Sequence, residues 1–110
     1  MFLTVMLTDD VGYMHYYSFH IGDYRSATSH LTNEEDLAYR RLLDMYYDTE
    51  QPIPLDIQWV ARRIRIDSDV VLSVLNDMFE RRDDGFYQSR CDQEIAVYKG
   101  FSEAGKRGAA

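Results

Sequence analysis

Tyr39, Leu42, Leu43, Tyr46 and Tyr47 fall at i, i+3, i+4, i+7 and i+8, the spacing that gathers apolar side chains on one face of an α-helix. No other feature restricts the fold as tightly, because both ends of this run are marked. Thr32 and Glu35 stand at the capping-box spacing, where a hydroxyl and a carboxylate satisfy free N–H groups at a helix start. Gln51-Pro-Ile-Pro54 stops the helix shortly after Asp48, since a residue preceding proline is pushed out of the α region.

The segments that follow are short and equally well punctuated. Leu55-Asp56 opens a second helix with Ile57, Val60, Ala61 and Ile64 toward the core and Trp59, Arg62 and Arg63 nearer its edges. Asp67 or Ser68 caps a third, in which Val71, Val74, Leu75 and Met78 form the buried stripe. Its wet stripe is Asp69, Ser73, Asn76, Asp77 and Glu80. Phe79 to Arg82 and Phe86 to Ser89 flank Asp83-Asp84-Gly85, and Asp-Gly between such runs predicts a tight hairpin. From Asp92 a last helix passes Ile95 and Tyr98, weakened by Gly100, Gly105 and Gly108. Upstream, Tyr17, Phe19 and Ile21 alternate within His15 to Ile21 until Gly22-Asp23 breaks the run, which predicts a short strand or arm.

A helix, two short helices joined by a tight turn, and a two-stranded hairpin follow the order of a winged helix-turn-helix with the hairpin as wing. The expected class is therefore mostly α, formally α+β, with three to four helices and a short N-terminal strand or arm. Its expected organisation is an extension over 1–13, one domain over 14–99 and a fraying tail over 100–110. With 110 residues of which 45% are hydrophobic, the chain has material for one core.

Five blocks in order carry a family likeness: His15-Tyr-Tyr-Ser-Phe-His-Ile-Gly-Asp-Tyr24, Ala27-Thr-Ser-His-Leu31, Ala38-Tyr-Arg-Arg-Leu-Leu-Asp-Met-Tyr-Tyr47, Pro52-Ile-Pro-Leu55 and Arg90-Cys-Asp-Gln-Glu-Ile95. Together they resemble the YdaU-like prophage proteins, a group of unknown function that looks like the N-terminal part of phage replication proteins. The resemblance spans roughly Met14 to Lys99 and implies a role in recruiting or organising a replisome at phage DNA. Relatives begin near the position of Met14 and continue past Lys106-Arg107 with basic residues, which puts a DNA affinity carried by such a tail in doubt for this chain.

Charge limits the mode of contact. The formal net charge is −7, against a generic basic binder of nucleic acid. Residues 31–60 hold Glu34, Glu35, Asp36, Asp44, Asp48, Glu50 and Asp56 against Arg40 and Arg41, whereas acids and bases balance over 61–90. There Arg62, Arg63 and Arg65 close the second helix and Arg81, Arg82 and Arg90 flank the wing. Guanidinium forks suit phosphate, so these six are the candidate DNA-binding residues. The competing reading pairs them with Glu80, Asp67, Asp69, Asp83 and Asp84. The third helix is acidic outside, which argues against reading a major groove; Asp69, Asn76, Asp77 and Glu80 are either a solvated face or candidate protein-binding residues, and Trp59 either borders the core or anchors a protein partner.

Other chemistry finds little support. His15 and His20 are an odd number apart in an extended run and so face opposite ways; with His30 they are read as hydrogen-bonding side chains rather than metal ligands. Glu34, Glu35 and Asp36 suit the first turn of a helix without catalysis. No nucleophile with its base and no phosphate-cradling glycine loop is present, so a non-enzymatic domain without cofactor or metal is expected. No run approaches the roughly 20 apolar residues that span a bilayer. Met1 to Leu7 lacks a basic leader and meets Asp9 and Asp10, and a lone Cys91 suits a core rather than a disulfide, so a cytoplasmic location is expected. The partners admitted are phage or host DNA, a replication helicase, loader or initiator, and a second copy paired through Phe2 to Leu7 with Tyr13, Tyr16 and Tyr24. The rival to a replication module is a protein-interaction or oligomerisation module of a phage regulatory protein without DNA binding.

Overall fold

The structure is a computed structural model that describes residues 19–109, with side chains described as far as Gly100. Five helices and one antiparallel hairpin follow in order: α1 (Ile21–Thr28), α2 (Asn33–Thr49), α3 (Ile57–Ile64), α4 (Ser68–Met78), β1 (Glu80–Arg82), β2 (Gly85–Tyr87) and α5 (Ser89–Ala109). The described residues are thus mostly helical with a small two-stranded sheet.

Helix α2 is the central beam. The Thr32 hydroxyl accepts from the Glu35 N–H and the Glu35 carboxylate accepts from the Thr32 N–H, at 3.1 and 2.9 Å. Downstream, Ala38, Tyr39, Leu42, Leu43, Tyr46 and Tyr47 are buried along one face. They meet Val60, Ala61 and Ile64 of α3, Val71, Val74 and Leu75 of α4, and Cys91 and Ile95 of α5 in one cluster. Fully burying a side chain of Val or Leu size contributes about 2 kcal/mol. The two short helices therefore owe their stability to this shared core more than to their own length. Asp56 caps α3 by accepting from the Trp59 N–H at 3.1 Å, whereas Asp67, at the N-cap of α4, makes no side-chain cap bond.

The hairpin pairs Glu80 with Tyr87, Arg81 with Phe86 and Arg82 with Gly85, which makes Asp83-Asp84 the turn and moves Gly85 into a strand. Gly85 is needed for closeness: a Cβ there would stand 2.9 Å from the Ile53 carbonyl oxygen. Ile53 and Phe86 exchange two backbone hydrogen bonds of 2.9 and 2.8 Å, so the Pro52-Ile-Pro54 segment both ends α2 and adds a one-residue bridge to the hairpin.

Three expectations need correction. Ile21 opens a helix instead of closing a strand; His15 to Ser18 of the predicted strand lie outside the described residues. Tyr24 and Thr28, one turn apart, supply the packing that outweighs the short alternation: Tyr24 stacks on Tyr39 at 5.9 Å and Thr28 is buried. Glu80 belongs to β1 rather than to the wet stripe of α4, because the helix ends at Met78. Finally, α5 begins at Ser89 and runs through Gly100, Gly105 and Gly108 to Ala109. Cys91 is buried and free, its thiol pushed up to about 12 by desolvation. Among the described residues no helix is long and apolar enough to cross a membrane.

Candidate nucleic-acid interface

The six candidate arginines do not share one environment. Arg82 donates two 3.2 Å bonds to Glu80 across β1 and lies 4.2 Å over the Tyr87 ring, so its charge is matched within the hairpin. Alternation along β1 puts Glu80 and Arg82 on the same face and explains the pairing. Arg90, in the first turn of α5, turns to α1 and bonds Asp23 at 3.1 Å. The Arg82 pair is one the competing reading names, whereas Asp23 lies outside the carboxylates it offered. Arg62, Arg65 and Arg81 are exposed, with no carboxylate partner among the described residues. Arg63 covers the Trp59 ring, its guanidinium carbon 5.3 Å from the ring centre.

The end of α3 concentrates the unmatched charge. Arg62 and Arg63 sit in its last turn, where cations meet the negative end of the helix dipole. Arg65 closes the helix in the left-handed region, φ 62° and ψ 46°, with its N–H on the Ala61 carbonyl. Arg41 reaches across from α2 and donates from Nη1 to the Ile64 carbonyl at 2.7 Å. No local pattern marks this bond, because it joins positions on separate helices.

The outer face of α4 and the tip of the hairpin are acidic. On α4, Asp69 and Asn76 are exposed, Asp77 bonds His30 Nε2 at 2.7 Å, and Ser73 donates to Glu35 at 3.2 Å. Leu72, 41% exposed, lies among them. The hairpin tip is Asp83-Asp84, and the Tyr87 hydroxyl donates to both Asp84 carboxylate oxygens at 2.9 Å, which raises the phenol pKa. Neither the outer face of α4 nor the tip of the hairpin suits a phosphate backbone. Trp59, the remaining candidate, is 41% exposed.

Elsewhere, the described residues leave a cleft of about 70 Å³ between α1, α2 and α5, touched by Phe19, Tyr24, Tyr47, Arg90 and Glu94. Ligand pockets are typically above ~300 Å³. Among the described residues no group of three or more His, Cys, Asp or Glu side chains could hold a metal ion. His15 and the Phe2 to Leu7, Tyr13 and Tyr16 edge lie outside the described residues. Sequence reasoning also missed Arg40, which lies 4.5 Å over the Phe19 ring beside Tyr24.

A family model described as "Protein of unknown function (DUF1376)" matches residues 15–96. Neither a curated protein nor a solved structure matches the chain. The match covers the capping box, the α3–α4 turn, the hairpin and the first turns of α5, and the chain belongs to this family of unknown function.

Proposed function

We propose that this domain is a non-enzymatic winged-helix accessory module of phage DNA replication that works in the cytoplasm, meets protein partners of the replisome and makes a weak, sequence-independent contact with DNA. The order α2, Ile53, α3, α4, β1, β2, with Ile53 bridged to β2, supports the winged-helix reading, since such a bridge between the first and second helices of the motif completes its small sheet. The replication setting rests on the likeness to YdaU-like prophage proteins.

The observation that carries the DNA contact is the sorting of the arginines. Arg82 and Arg90 are matched by carboxylates, whereas Arg62, Arg65 and Arg81 are exposed and unmatched among the described residues. Acidic residues on α4 and at the hairpin tip oppose groove reading and limit the contact to phosphate. Labelled duplex and single strand, titrated at several salt concentrations, test this. Weak binding that falls steeply with salt and disappears when Arg62, Arg65 and Arg81 are all changed to Gln is expected, with the circular dichroism unchanged.

A second reading is a protein-interaction module without DNA binding, favoured by the exposed Leu72 flanked by Asp69 and Asn76 on α4. Absence of any binding at low salt would transfer the assignment to it.

A further inference from the structure

Three arginines among the described residues lie over aromatic rings, and they differ in what surrounds them. Arg82 over Tyr87 is matched by Glu80. Arg40 lies over Phe19 and Tyr24, and the Tyr24 hydroxyl is bonded to Asp36, so a carboxylate lies at that site too. Arg63 over Trp59 has no carboxylate beside it among the described residues.

The geometry of α3 explains why. Val60, Ala61 and Ile64 are buried, which turns Trp59, Arg62 and Arg63 outward. Spacings of three and four put both arginines on the same helix face as the ring. No residue of Ile57–Ile64 is acidic. The nearest acid in sequence on the N-terminal side, Asp56, is engaged as the cap. At the other end Arg65 follows the helix, and Arg41 is anchored on the Ile64 carbonyl. One indole, 41% exposed, is thereby associated with a helix end that carries Arg41, Arg62, Arg63 and Arg65.

We infer that Trp59 and Arg63 form a stacking platform for a base of single-stranded nucleic acid, with Arg62 and Arg65 holding the adjoining phosphates. This rests on the reading that the domain touches DNA, and it names the form of DNA and the residue that meets the base. An indole and a guanidinium plane both accept the flat face of any base, and such stacking is insensitive to sequence. A duplex keeps its bases stacked inside, out of reach of a ring on a convex helix. An acidic peptide would satisfy the arginines as well, and polyglutamate stands for it in the titrations. The site is short, so one or two nucleotides fill it and the affinity is low.

Trp59 is the only tryptophan of the chain, so its emission reports this site and no other. The full chain is titrated with fluorescein-labelled oligothymidylate, following anisotropy of the label, and with unlabelled oligothymidylate, following Trp59 emission. A duplex of equal length and polyglutamate serve as comparisons. Saturable quenching by the single strand is expected, reversed by salt and much weaker with duplex. Trp59→Ala lowers single-strand affinity about tenfold; Arg63→Lys keeps the salt dependence and loses part of the affinity. Both changes lie on an exposed face, and unchanged circular dichroism confirms folding. A rise in anisotropy with unaltered Trp59 emission and full affinity in Trp59→Ala would overturn the platform while leaving DNA contact in place. No rise even at low salt would remove both. Quenching by polyglutamate but not by oligothymidylate would assign the face to an acidic protein.

Discussion

The Tyr46 hydroxyl, at the buried centre of α2, donates a 2.6 Å hydrogen bond to the carboxylate of Asp92 in the first turn of α5 and accepts the Gln88 N–H at 3.3 Å. One residue on, Tyr47 donates to Glu94 at 2.6 Å. Two adjacent phenols thus fasten α5 to the central helix, while the cap at the start of α2 and the Ile53 bridge hold the rest of the frame.

Replacing Tyr46 by Phe keeps the ring and deletes the junction. It strands the Gln88 N–H and removes a bond to a charged acceptor, for which about 1.5 kcal/mol is expected. Urea unfolding measures this, and an unchanged midpoint would show that water replaces the hydroxyl at no cost. Burial and then the Asp92 bond raise the Tyr46 pKa far above 10.0. A phenol whose folded value is raised is stabilising below its unfolded value, near 10, and loses that contribution as pH rises beyond it. Stability should therefore fall above pH ~10 more steeply in the parent than in Tyr46→Phe, as alkaline unfolding curves would reveal.

The reciprocal cap at Thr32 and Glu35 makes a separate prediction at the acid end. Thr32→Ala should cost about 1 kcal/mol, the usual worth of an N-cap hydroxyl. The Thr32 N–H, and secondarily the hydroxyls of Ser73 and Thr32, lower the Glu35 pKa below 4.5. A lowered folded value gives stability that is complete above the unfolded pKa and is lost as pH falls through the folded one. Glu35→Gln keeps a capping acceptor but no charge, so its unfolding midpoint should vary less below pH ~4.5 than the parent's. Parallel curves for the two proteins would contradict the assignment of this acid sensitivity to Glu35.

What could be read from the sequence was whatever is local. The helix α2 declared itself through Thr32, Glu35 and the Tyr39 to Tyr47 stripe, and α3 and α4 through stripes of the same kind, because caps and helical periods are properties of neighbouring residues. The Ile53–Phe86 bridge was hidden, since one paired residue has no period and its prolines read only as breakers. The helix α1 was misread because Phe19 and Ile21 imitate a strand before Tyr24 and Thr28 can register as a helical face. The candidate arginine set was legible as a list but not as a site. Glu80 beside Arg82 was close enough to suspect, whereas Asp23 meeting Arg90 and Arg41 meeting Ile64 are encounters that only folding creates.

Two glycines of opposite use test the packing of the hairpin. Gly85→Ala would bring a Cβ to 2.9 Å from the Ile53 carbonyl and 3.1 Å from the Pro52 side chain, and a backbone oxygen cannot step aside as a flexible side chain does. A loss of about 2 kcal/mol is expected, as for other overpacked sites. Gly100→Ala, in α5 with nothing within 4 Å, should instead raise stability by about 0.5 kcal/mol through helix propensity. Thermal denaturation of the two variants should move in opposite directions; a neutral Gly85→Ala would mean that Pro52 to Pro54 yields readily.

Arg65 and Glu50 share a left-handed backbone, φ 62° and 56°, at the ends of α3 and α2, yet they should respond oppositely to glycine. The left-handed region costs an L-residue about 1 kcal/mol and glycine nothing comparable. Arg65 is exposed and unmatched by a carboxylate among the described residues, so Arg65→Gly should relieve strain and raise stability by up to about 1 kcal/mol. The same change removes one cation from the candidate interface, so nucleic-acid binding should weaken and lose part of its salt dependence. Glu50 has a side chain only 5% exposed, bonded to Lys99 of α5 at 3.2 Å. Glu50→Gly relieves the same backbone but loses the tie between α2 and α5, and should gain nothing or destabilise. Measuring unfolding and binding on both variants separates the two roles. If Arg65→Gly were more stable and bound nucleic acid as well as the parent, the strained arginine would have no part in the interface.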